Sequence, residues 1–188
     1  MGSADTKENI MAIARLMVQA NGYTALSFRD IAAAVGVKSS SVHYHFPTKG
    51  SLGAELARRY TQEMNDYLEQ SLAESPDAAA FMDRYTNVFR AALANDNRMC
   101  MCGIMAAEHD ELPPEVQQEV ACFSEVNVLW LSRALALFRK EEPAARLQSH
   151  ALAIYAAVEG AQLIARSRGD IAVYDHTIDA YRSNGLLP

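Results

Sequence analysis

Apolar positions recur at three- and four-residue intervals along nearly the whole chain, and this spacing predicts helices throughout. From Thr6 to Ala20 the stripe is Ile10, Ile13, Ala14, Met17 and Val18, with Thr6 as a cap and Asn21-Gly22 as a stop. Phe28, Ile31, Ala32 and Val35 repeat the spacing behind Ser27, an N-capping residue type, and Gly36 permits a tight turn. A third helix starts at Ser39, with Val42 and Phe46 four apart beneath it. Pro47 ends it, Thr48 caps the next, and Leu52, Leu56, Tyr60, Met64 and Leu68 carry that helix to about Leu72. Further helices are predicted from Asp77 to about Ala94, Cys100 to about Glu108, after Pro113-Pro114 to about Phe138, Ala144 to about Ser167, and after Gly169-Asp170 through Tyr181. The expected fold is all-α, with three short helices followed by six longer ones.

The third helix is polar over most of its circumference. Ser39, Ser40, Ser41, His43, Tyr44 and His45 surround the narrow Val42–Phe46 underside. A short helix, a glycine turn and a polar second helix describe a helix-turn-helix, whose second helix lies in the major groove of duplex DNA. Hydroxyls and imidazoles bond base edges, while Lys38 and Lys49 supply charge for phosphates. The candidate DNA-binding residues are Ser27, Arg29, Lys38, Ser39, Ser40, Ser41, His43, Tyr44, His45 and Lys49. Ring packing within the motif is the alternative role for His43 and His45.

The runs Phe28-Arg29-Asp30-Ile31-Ala32, Ala34-Val35-Gly36-Val37 and Val42-His43-Tyr44-His45-Phe46-Pro47-Thr48-Lys49, with Leu52, closely resemble the DNA-binding domain of TetR-family transcriptional regulators. Ile10, Ala14 and Gly22-Tyr23 extend the resemblance upstream. It implies an N-terminal three-helix DNA-binding domain over residues 1–50 and a helical ligand-binding and dimerisation domain over 51–188. The family often has Gly or Ala at Ser40, Tyr at His43 and Glu at Gly50, so the preferred operator does not carry over. The resemblance also implies a homodimer made by the last two helices.

Charge fits a basic head on an acidic body. Met1 to Tyr60 holds seven Lys or Arg against four Asp or Glu, +3, which leaves −9 on the remainder of a 188-residue chain of net charge −6. No apolar run reaches the roughly 20 residues needed to cross a bilayer, and the N-terminus lacks the basic-then-apolar pattern of a secretory signal, so a soluble, cytoplasmic protein without a membrane partner is expected.

In the body, the small residues Ala153, Ala156, Ala157, Gly160 and Ala161 suit close approach of a second subunit's helix, with Ile171, Tyr174, Ile178 and Tyr181 beside them. Large or polar residues at core spacings are the candidate ligand-binding set: Tyr85, Phe89, Cys102, Met105, Glu108, His109, Phe123, Asn127, Trp130, Tyr155, Glu159 and Gln162. Aromatics and methionines with a few polar groups suit a small, largely apolar effector. Cys100, Cys102 and Cys122 leave open a thiol-based redox or electrophile sensor beside the reading as buried thiols. Residues two apart on a helix do not converge, so neither a metal site nor a cofactor is expected. An enzyme is the competing class, but Ser39-Ser40-Ser41 with His43 and His45 lacks an orienting acid and an oxyanion turn, and Glu108-His109-Asp110-Glu111 reads as a solvated helix end. The expected function is a homodimeric repressor, bound to double-stranded operator DNA and released by a small-molecule effector.

Overall fold

The computed structural model describes residues 3–139 and 141–188. Among them run nine α-helices: α1 (Ser3–Asn21), α2 (Phe28–Val35), α3 (Ser39–His45), α4 (Lys49–Glu74), α5 (Ala78–Ala94), α6 (Met101–Ala106), α7 (Pro114–Phe138), α8 (Ala144–Arg168) and α9 (Ile171–Ser183). A single 3₁₀ turn, His109–Glu111, lies between α6 and α7.

Most boundaries follow local chemistry. The Ser27 hydroxyl accepts the Asp30 amide at 3.4 Å, and Gly36 leaves α2 in the left-handed region at φ 78°. Thr48 and Ser51 cap α4 reciprocally: Thr48 Oγ1 accepts the Ser51 amide at 2.9 Å and Ser51 Oγ accepts the Thr48 amide at 3.2 Å. Asp77 and Asp170 cap α5 and α9 through the amides of Ala80 and Ala172. Removing one cap isolates its contribution. Ser27→Ala is expected to lower unfolding free energy by about 1 kcal/mol, read as a lower urea midpoint at unchanged slope.

Two expectations shift. Since α1 begins at Ser3, Thr6 lies inside its first turn and is not the cap. The helix expected from Cys100 to Glu108 is shorter, because the chain tightens into the 3₁₀ turn before Leu112.

The chain divides into two compact units, Met1–Thr61 with Met101–Phe123, and Gln62–Cys100 with Ser124–Pro188. The boundary expected at residue 50 therefore falls inside the unbroken α4, whose Leu52, Leu56 and Ala57 are buried with the first unit. In that unit α1, α2 and α3 pack together and α6 lies against α1. Its core holds Ile10, Ala14, Val18, Tyr23, Leu26, Ile31, Val42 and Phe46, joined by Met101, Met105, Leu112 and Val116. In the second unit α5, α8 and α9 pack on one another around Phe81, Tyr85, Phe89, Ile154, Val158 and Tyr174.

α7, a helix of 25 residues containing an 18-residue stretch of mean hydropathy 1.4, is long and apolar enough by length and composition to cross a membrane. The polar residues Glu119, Ser124, Glu125 and Asn127 interrupt its sequence, so no single run stands out, yet one stretch keeps a high average. Its Val116, Val120 and Phe123 are buried, and so are Asn127, Trp130, Leu131, Ala134 and Leu135, at the spacing of a core helix.

Candidate nucleic-acid interface and effector cluster

The underside of α3 is anchored and its outer face is open. Val42 and Phe46 are buried, whereas Lys38, Ser39, Ser40, His43 and Tyr44 are exposed, Tyr44 at 78%. Ser41 and His45 are half-buried. Two ring contacts set the imidazoles. His43 meets the Phe28 ring edge-on at 4.8 Å between centroids, and His45 meets Tyr44 at 5.1 Å. His43 keeps its exposure beside Phe28, so it is oriented without being withdrawn from the surface. Arg29 is exposed and pairs with Asp30 at 3.3 Å, a solvated contact of little energetic weight.

Lys49 is more committed. Its Nζ donates to the Thr24 carbonyl at 2.9 Å and lies 4.6 Å from the centre of the Tyr23 ring. Burial lowers its pKa, and the nearby Glu108 charge opposes that shift. Glu108 itself accepts from the amides of Tyr23 and Thr24 and from the Thr24 hydroxyl. Thus the segment after α6 ties down the turn between α1 and α2.

Gly50 has a packing reason. A Cβ there would run into the Glu115 carboxylate and come within 3.3 Å of Pro113. The start of α7 occupies the space that a side chain at residue 50 would fill.

The candidate effector residues fall in both units. In the first, Cys102 and Met105 are buried, Phe123 stacks on Tyr60 at 5.2 Å, Glu108 bonds the turn just described, and His109 is exposed. The second unit gathers a connected polar cluster. Tyr85 OH donates to Asn127 Oδ1 at 3.2 Å, and Tyr85 lies 5.3 Å from the Phe89 ring. Gln162 accepts the Cys100 amide at 2.9 Å and donates to the Phe89 carbonyl at 2.7 Å. Cys100 and Tyr155 hydrogen-bond the Glu159 carboxyl, whose pKa burial pushes up to about 7 against those two bonds. Trp130 donates to Asn65 Oδ1 at 2.9 Å and carries the Arg133 guanidinium over its ring.

Sequence reasoning did not place Cys100 or Tyr174 in this cluster. Tyr174 was expected beside a subunit interface, as was Ile178. Both are buried, and Tyr174 OH donates to the Thr86 carbonyl at 2.7 Å. α8 is apolar on two sides, so periodicity alone did not tell which side meets α9. None of the three cysteines is in a disulfide. Among the described residues no group of three or more His, Cys, Asp or Glu is arranged to hold a metal ion.

Residues 10–56 match the family described as bacterial regulatory proteins, tetR family. The chain is similar to a TetR transcriptional regulator from Legionella pneumophila, with 29% identity, TM-score 0.87, and coverage of 95% of this chain and 96% of that one. It is similar to a TetR-family regulator from Agrobacterium tumefaciens, with 26% identity, TM-score 0.87, and coverage of 94% and 95%. Among curated proteins it is 27% identical over 82 residues to the HTH-type transcriptional repressor KstR2 of Rhodococcus jostii (strain RHA1), a match covering 44% of this chain and 40% of that protein. The chain spans about two fifths of the length of the curated relatives it matches.

Proposed function

We propose that this chain, whose residues 10–56 match the tetR family of bacterial regulatory proteins and whose fold is similar to TetR-family regulators over nearly its full length, is a homodimeric, ligand-responsive transcriptional regulator of the cytoplasm, a repressor released from operator DNA by a small, largely apolar effector. The observation that carries this reading is the outer face of α3: hydroxyls, an imidazole and a phenol stand exposed on a helix locked from beneath by Val42 and Phe46. Ser40, Ser41, His43 and Tyr44 would read base edges. Ser27, Arg29, Lys38, Ser39, His45 and Lys49 would serve phosphates, Lys49 after exchanging its Thr24 carbonyl for a phosphate oxygen.

A two-fold operator needs two α3 helices about 34 Å apart, hence two subunits. Support for the dimer comes from α8, where Leu152 and Leu163 are 55% and 54% exposed beside exposed Ala153 and Ala156, and where space around Gly160 is open. Effector binding is assigned to the Tyr85–Phe89–Asn127–Tyr155–Glu159–Gln162 cluster. A coupling of about 1–3 kcal/mol between that cluster and the operator would weaken DNA binding about 5- to 150-fold. The thiol-sensor alternative receives less support, since Cys100 and Cys102 are only 2% and 1% exposed.

Selection of bound sites from random duplex DNA, followed by titration at several salt concentrations, tests the reading. One enriched two-fold sequence is expected, with affinity falling steeply as salt rises. Lys38→Ala should weaken all sequences alike and reduce the salt slope by about 1, while His43→Ala should lose about 1–3 kcal/mol on the selected site and relax one position. Recovery of no preferred sequence would overturn the proposal.

A further inference from the structure

Glu159 is the residue of the effector cluster whose bonding is incomplete. Its Oε1 is buried and has no hydrogen-bond partner among the described residues, although the residue as a whole is only half-buried. The polar groups of the surrounding cluster have bonds of their own. Tyr85 OH is given to Asn127, Tyr174 OH to the Thr86 carbonyl, and both ends of the Gln162 amide to Cys100 and Phe89. A buried acceptor left open in this way is costly unless something else fills it.

The chemistry around it selects the filler. The titratable groups that act on or feel Glu159 are Cys100 before α6, Tyr155 on α8 itself, Tyr85 on α5 and Tyr174 on α9. None is a base, so nothing among these groups would neutralise an anionic ligand, whereas a cation would meet a carboxylate that has the phenols of Tyr155 and Tyr85 beside it. We propose that the effector is an organic cation, a protonated amine on an apolar or aromatic body, whose N–H donates to Glu159 Oε1.

This inference rests on the assignment of the cluster as the effector site. Binding places an ammonium beside an ionised carboxylate. Below the pH at which Glu159 ionises, the ligand must displace the carboxyl proton, which leaves to solvent as one proton per amine bound. With a carboxyl pKa of about 7, amine affinity should rise about tenfold from pH 6 to pH 8.

The test uses the full chain and three probes with one body: 2-phenylethylamine, 2-phenylethanol and phenylacetate, titrated calorimetrically at pH 6 and pH 8. The amine is expected to bind tightest and to show the tenfold pH effect. E159Q should abolish both the amine preference and the pH effect while keeping the alcohol's affinity. Tyr155→Phe, which removes a donor to the carboxyl, should move the pH midpoint upward and gives an independent readout of the same carboxyl. If the alcohol or the carboxylate binds as well as the amine, with affinity still altered by either variant, the cation assignment falls and the effector site stands. If no probe binds, or neither variant alters binding, both fall.

Discussion

Glu159→Gln is expected to stabilise the isolated chain by about 3 kcal/mol at pH 8 and by almost nothing at pH 4. Burial raises this carboxyl from its ordinary 4.5 to about 7, so the folded chain favours the neutral acid. The sign follows from linkage. An acid with a raised folded pKa leaves stability whole below about 4.5, and stability is lost as pH rises through about 7. Gln is neutral at every pH and escapes that loss. Urea midpoints of both chains across pH 4 to 8 should therefore diverge as pH rises. Parallel curves would mean that Glu159 is solvated as well in the folded chain as in the unfolded one. A carboxyl held at such a cost fits a binding role better than a structural one, since stability and function often oppose each other at sites.

The second large effect concerns the head. Glu108→Ala removes the acceptor for the amides of Tyr23 and Thr24 and for the Thr24 hydroxyl, leaving donors at a turn whose Tyr23 is buried. A loss of roughly 2 kcal/mol is expected, moderated by the partial exposure of the carboxylate. Hydrogen exchange should speed up at residues 23 and 24, and operator affinity should fall because Lys49 and α2 are seated on the same turn. Glu108→Gln keeps an acceptor and should lose less. Unchanged protection of both amides in Glu108→Ala would show that the turn holds itself.

The difference between Glu108 and Glu159 shows what can be read from residue order. Each is a carboxylate at a helical or near-helical position, and both stood among the candidate ligand-binding residues by the same pattern argument. Their surroundings separate them. Glu108 meets amides 85 and 84 residues away in sequence, and Glu159 meets a thiol and a phenol under enough protein to hold its proton near neutral pH. Gly50 is similar: as a departure from the family pattern it has no local reason, and the start of α7 supplies one.

From its residue order alone, this chain determined that it would be helical, where α2, α4, α5 and α9 begin, that Gly36 would turn, and that α3 would be polar outside and apolar beneath. Those features depend on groups within about four residues of one another, the reach of a cap or a helical face. Only the tertiary structure decided that residues 101–123 would join the head unit, that Tyr174 and Ile178 would face inward, and which of two carboxylates would be left with an unfilled oxygen. Such outcomes depend on which distant segments meet and how much water they exclude, and periodicity carries no record of either.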